Sequence, residues 1–255
     1  MNGFDSHCHL DFIDNASDLM ADARKAGVSQ WLVPGTEPEQ WQQAHQLFCE
    51  DPRVKLGVGH HPWFLPESQP DTDQLNTWLD NHVDCIALGE IGLDFYRHNP
   101  RSSAADHQRD WFLAQLAVAT ERQLPVIIHS VKAHDRILQG LKHAKEVTGV
   151  VHGFVGPYEQ AMAYIDRGLY LGAGSVVFRS AKTLDSFARI PADRLLIETD
   201  TPDQRIPDNQ RANALLDWLR ILERIADARR IGARDLADRV LSNANALFGR
   251  PDSSQ

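Results

Sequence analysis

The sequence is poor in cysteine and has no pairing pattern among the few it holds. Cys8, Cys49 and Cys85 are the three in 255 residues, an odd and widely spaced set without a CxxC. Neither a zinc ribbon nor a disulfide framework is expected, and reduced, buried thiols are. Basic residues are outnumbered: 26 Lys and Arg face 35 Asp and Glu, a formal charge of −9. That balance excludes an extended, sequence-independent grip on duplex DNA by charge alone. No apolar run approaches a membrane span. The opening residues Met1-Asn2-Gly3-Phe4-Asp5 hold neither the basic start nor the long apolar stretch of a secretion signal. No membrane association is expected, and the cytoplasm is the expected compartment. Low-complexity linkers, composition shifts and repeats are missing too, so one domain over 1–255 is expected, with only Arg250 to Gln255 frayed.

What the chain does have is alternation. Short apolar runs rich in Val, Ile and Leu read as strands buried on both faces: Gly3 to His9, Gln30 to Pro34, Lys55 to Gly59, Cys85 to Gly89, Val126 to His129, Gly149 to His152, Leu169 to Gly172 and Leu195 to Thr199. Amphipathic spacing between and after them predicts helices over 16–26, 38–50, 72–82, 104–123, 132–145, 158–167, 180–188, about 210–229 and about 233–241. Eight strand–helix units in about 250 residues is the arithmetic of a (β/α)8 TIM barrel, an α/β fold. A doubly wound open sheet is the alternative, but no GxGxxG follows the first strand.

A barrel of this kind places its chemistry at the C-terminal ends of its strands. His7 and His9 close the first run, two residues apart and so on one side of a strand. Glu90 ends the fourth, His129 the fifth, His152 the sixth and Asp200 the eighth. Four imidazoles and two carboxylates make a mixed N/O set that suits divalent transition metals. Six ligands are too many for one hydrolytic ion that must also hold water, and about right for two ions that share a carboxylate.

These residues sit in segments that resemble the TatD family of metal-dependent hydrolases and deoxyribonucleases, and its YjjV-like members in particular. The segments are Asp5-Ser6-His7-Cys8-His9-Leu10-Asp11, Gly89-Glu90-Ile91-Gly92-Leu93-Asp94, Ile128-His129-Ser130, Val151-His152-Gly153-Phe154 and Glu198-Thr199-Asp200-Thr201-Pro202. The likeness runs on to Asn243 and Asn245, nearly the whole chain. It implies a TIM barrel of the amidohydrolase type, two divalent ions (Zn, Mn, Mg or Co) and cleavage of DNA phosphodiesters, from strand ends. Carried over, His7, His9 and Asp200 hold one ion, His129 and His152 the other, and Glu90 bridges them. Asp200 is also implied as the general base toward the attacking water. His61, in a His-Pro element, and Asp94 and Arg97, in a Gly-Leu-Asp-Phe-Tyr-Arg loop, are implied substrate contacts. Asp5 falls on the side of His7 and His9 by strand alternation and is expected to orient a ligand imidazole.

The resemblance weakens after the eighth strand, where Asp203 and Gln204 stand in place of the family's usual apolar residues. Substrate choice is therefore open there, and a metal-dependent hydrolase of another ester or amide, such as a D-aminoacyl-tRNA deacylase, is the alternative. A local bite on one or a few phosphates suits an acidic chain whose bound cations concentrate positive charge at one place. DNA or nucleotide substrates are expected to bind weakly and transiently, and the chain to be a monomer.

Overall fold

The computed structural model describes residues 2–96, 103–144, 146–207 and 213–249. Arg97 and the tail from Arg250 to Gln255 lie outside the described residues. Eight parallel strands follow chain order: β1 (Gly3–Asp5), β2 (Val28–Val33), β3 (Val54–Val58), β4 (Cys85–Asp94), β5 (Val126–Val131), β6 (Gly149–Val151), β7 (Tyr170–Ala173) and β8 (Leu195–Ile197). The helices among them are α1 (Ala16–Ala26), α2 (Pro38–Phe48), α3 (Asp73–Asn81), α4 (Ala105–Arg122), α5 (His134–Gly140), α6 (Tyr158–Ile165), α7 (Ala181–Arg189), α8 (Asp217–Arg229) and α9 (Ala233–Phe248). The alternation is that of the expected (β/α)8 class.

Three boundaries differ from the sequence reading in ways that matter for the site. Strand β1 stops at Asp5, so His7 and His9 belong to the segment after it. Strand β4 runs five residues past Gly89, is buried throughout, and takes in both Glu90 and Asp94. It can do so because Gly92 sits at φ 146, where a Cβ would lie 2.0 Å from the carbonyl oxygen of His129. No other residue type allows that approach of β4 to β5. Helix α9 continues to Phe248, which draws Asn243 into a helix.

The chain divides into two compact units. One is continuous, Pro34–Val151, and contains β3 to β6, paired from Leu56↔Cys85 through Ile128↔Val151 with register shifts after Leu56 and after Leu88. Trp41, Trp111 and Phe112 are among its largest buried side chains. Trp41 is anchored by donating its Nε1 hydrogen to the Gly59 carbonyl at 2.9 Å. Three buried glutamines in this unit bond main chain near strand ends. Gln40 accepts from Thr36 N and donates to Pro34 O, Gln115 does the same for His60 at both its N and O, and Gln108 for Asp94.

The other unit joins the two ends of the chain, residues up to Val33 and from His152 onward. Strand β1 pairs with β2, and β7 with β8. Ser6 N donates to Ile197 O at 3.1 Å and Asp200 N to His7 O at 2.9 Å, which carries the pairing from β8 to the β1 edge. Trp218 of α8, fully buried, donates Nε1 to both Phe4 O and Ile197 O. Asn243 of α9 donates to Ala192 O and Leu195 O, both at 2.8 Å, and so holds the entry to β8. Each of these contacts satisfies main-chain groups that burial would otherwise leave costly.

Candidate metal-binding sites

In the discontinuous unit, His7, His9 and Asp200 come together, all three buried. His7 Nε2 lies 3.5 Å and His9 Nε2 3.7 Å from Asp200 Oδ1. Those separations are long for hydrogen bonds. They suit ligands of one ion: bonds of about 2.1 Å at tetrahedral angles put ligand atoms about 3.4 Å apart. The donor chemistry, two imidazoles and a carboxylate, fits a divalent transition metal as well. Cys8 lies between the two histidines in sequence but does not join them. Its thiol points to Leu32 O at 3.7 Å, and burial pushes its pKa well up.

His152 follows β6 and enters a second arrangement in the same unit. Its ring stacks on that of His7, centroids 3.9 Å apart and 10° from parallel. Its Nδ1 is 3.6 Å from Glu198 Oε1. Glu198 is fully buried. Its Oε1 accepts from Gly153 N at 2.5 Å, while Oε2 accepts no hydrogen bond among the described residues. The carboxylate has room only because position 172 is glycine, where a Cβ would lie 2.1 Å from Oε2. His7, His152 and Glu198 offer ligand atoms within 4.8 Å of one another.

In the continuous unit, His61, Glu90 and His129 form a third such group. Glu90 Oε1 lies 2.7 Å from His129 Nδ1 and 3.3 Å from His61 Nε2. Trp63 N donates to His61 Nδ1 at 3.1 Å, which makes Nδ1 the acceptor and sets the His61 proton on Nε2, toward Glu90. Asp94 closes the far side of His129, with Oδ2 3.2 Å from Nε2. Burial pushes the Asp94 carboxyl up, but hydrogen bonds from His129, Tyr96 N and Trp63 Nε1 outweigh it and hold Asp94 below its usual range.

The sequence-derived candidates are thus placed as follows. His7, His9, His152 and Asp200 belong to one unit and Glu90, His129, His61 and Asp94 to the other. Asp5 is fully buried and fastens backbone: Oδ1 accepts from Thr199 N at 3.0 Å and His7 N at 3.4 Å, and Oδ2 from Thr199 Oγ1 at 2.7 Å. Burial pushes its carboxyl up to about 8, against the pull of those donors. Two residues escaped the sequence reading. Glu198 was visible only as part of a motif. Gln204 was visible only as a departure from one, and its Nε2 donates to Asp200 Oδ2 at 2.8 Å.

Comparison with known proteins shows the family. A family model described as "TatD related DNase" matches residues 4–249. The chain is 34% identical over 257 residues to "Uncharacterized metal-dependent hydrolase YjjV" of Escherichia coli strain K12, covering 97% of this chain and 98% of that one. It is 33% identical over 248 residues to "3'-5' ssDNA/RNA exonuclease TatD" of Escherichia fergusonii, covering 93% and 94%. The crystal structure of the Escherichia coli YjjV protein, a TatD homolog, matches with a TM-score of 0.88 at 32% identity over 98% of each chain.

Proposed function

The chain belongs to the TatD related DNase family, and from that premise we propose that it is a metal-dependent hydrolase of DNA phosphodiesters that works inward from accessible strand ends. The observation that carries the reading is the convergence of His7 and His9 on one oxygen of Asp200. The residues proposed to hold two divalent ions (Zn, Mn, Mg or Co) are His7, His9, His152 and Asp200 of one unit and Glu90 and His129 of the other. Ions held there would lower the pKa of a water and neutralise charge on the scissile phosphate.

The chain's own residues do the rest. Asp200 takes the proton of the attacking water; its Oδ1 faces the imidazoles and its Oδ2 keeps a lone pair beside Gln204 Nε2. Asp94 fixes the His129 ring through Nε2 and leaves Nδ1 on the side of Glu90. Asp5 fastens the segment bearing His7 to Thr199, next to Asp200. His61, Asp94 and Arg97 are proposed to serve substrate binding. Residues 1–255 are taken as one hydrolase domain, monomeric and cytoplasmic, with nucleic acid bound weakly and briefly. Among the described residues no helix is long and apolar enough to cross a membrane.

The test is end-labelled single-stranded DNA offered to metal-replete protein beside Asp200→Asn, with aminoacyl esters and amides in parallel. Stepwise shortening of DNA by the wild type alone is the expected result. Equal cleavage by both proteins marks a contaminant, and fast ester or amide cleavage with intact DNA overturns the choice of substrate.

A further inference from the structure

We infer that Gln204 is a positioning residue that sets the Asp200 carboxylate for metal capture, with Ser175 holding Gln204 in turn. The inference rests on the metal-site reading above and deepens it.

Asp200 lies at φ 53, a left-handed conformation that few residues other than glycine adopt. Its main chain is tied on both sides. The N–H donates to His7 O at 2.9 Å, and the carbonyl accepts from Gln204 N at 2.9 Å. The Gln204 side chain then returns to the same residue, donating Nε2–H to Asp200 Oδ2 at 2.8 Å. One residue therefore closes the turn twice on Asp200, once through backbone and once through side chain. The second bond settles the torsion that the backbone leaves open. The final torsion of an aspartate is broad, so an unheld carboxylate swings about it and carries its oxygens off the line to the imidazoles. With Oδ2 occupied, Oδ1 is the oxygen presented to His7 Nε2 and His9 Nε2.

The amide that does this is itself fixed. Ser175 Oγ, in a residue only 1% exposed, donates to Gln204 Oε1 at 3.2 Å. An ionised carboxylate only accepts, so a flipped amide would set oxygen against oxygen at Asp200. The order Ser175–Gln204–Asp200 consequently runs in one direction, donor to acceptor at each step. Groups that orient a metal ligand in this way commonly change affinity by about ten- to a hundredfold when removed.

The experiment uses the full chain stripped of metal, Mn2+ titrated by calorimetry, and melting of the metal-free protein. The variants are Gln204→Met, which keeps the length and loses the donor, Ser175→Ala, and the pair together. Gln204→Met is expected to weaken one Mn2+ site about tenfold with the number of ions as in the wild type, and to lower metal-free melting only by the few degrees that its two lost hydrogen bonds cost. Ser175→Ala is expected to weaken the same site about threefold, and to have no further effect once Gln204 is Met, because it acts through that residue. Wild-type affinity in Gln204→Met overturns the inference. So does a Ser175→Ala effect that is the same in both backgrounds, or a Mn2+ affinity loss no larger than that of Asn243→Ala, a variant destabilised to a similar degree away from the ligands, which is the mark of a merely structural role. A wild-type chain that takes up no Mn2+ overturns the metal-site reading itself, a different result from any of these.

Discussion

His60 should make the protein acid-labile in a measurable and removable way. The residue follows β3, is 2% exposed, and has its ring against Trp41 and Trp111, centroids 5.0 and 4.9 Å away. Its Nδ1 is buried without a hydrogen-bond partner among the described residues. Burial pushes its pKa from 6.5 down to about 4, only partly opposed by Glu39. Above pH 6.5 the ring is neutral in both folded and unfolded chains and contributes nothing to pH dependence. As pH falls below 6.5 the unfolded chain takes up a proton that the fold excludes, so stability is lost progressively until about pH 4. The full span is worth roughly 3 kcal/mol, and about 2 kcal/mol of it is gone by pH 5. That is a large part of a typical folding free energy of about 5–15 kcal/mol. The assay is equilibrium urea unfolding in the presence of EDTA, at pH 8 and pH 5, for wild type and His60→Leu. The leucine alters packing equally at both pH values, so the difference between the two isolates the proton. His60→Leu should lose about 2 kcal/mol less than wild type on going to pH 5. An identical pH loss in the two proteins would refute the assignment of His60 as a neutral core residue.

Four further outcomes follow from the geometry. Asn243→Ala strands two carbonyls that now share one amide at 2.8 Å, and should cost about 1–3 kcal/mol in urea unfolding with an unchanged denaturant slope. Gly172→Ala puts a Cβ 2.1 Å from Glu198 Oε2 and 3.1 Å from the His152 Cα. Its unfolding free energy should fall by about 1–3 kcal/mol or more, and wild-type stability would show that Glu198 has room to move. Trp63→Phe deletes the indole donor to Asp94 Oδ2, so the Asp94 carboxyl should titrate at higher pH by carboxyl-carbon NMR; an unmoved titration contradicts the hydrogen-bond account. On duplex DNA, a chain of charge −9 should be released well below physiological salt, and retention like that of a basic DNA-binding domain would contradict weak, local contact.

The residues that cluster could be picked from the sequence because each lies in or just after a short apolar run, although β1 stops before His7 and β4 runs on past Glu90. What escaped was set by distant contacts. His60 and His61 are adjacent and chemically identical. Only packing shows that the first is enclosed by tryptophans while the second faces Glu90. Glu198 looks like one acid of a motif until its bond to Gly153, 45 residues away, is seen. Gln204 registered as an anomaly, and its partner Ser175 did not register at all, because the bond between them spans 29 residues. The extension of β4 through Asp94 was hidden by Gly92, a residue that reads as a strand breaker and here is what lets β4 approach β5.

The discontinuous unit has a consequence for the order of events during synthesis. The bonds from Asp5 to Thr199 join residues 194 apart, and β8 must have been made before the segment bearing His7 and His9 can settle. The continuous unit, residues 34–151, leaves the ribosome complete long before that. A nascent chain can therefore finish its middle first, while its first 33 residues wait with apolar β1 and β2 uncovered. Until the segment around Thr199 has been made, the N-terminal residues are the part of the chain left without their partners, and a chain stalled before residue 195 carries both histidines with no aspartate to meet them.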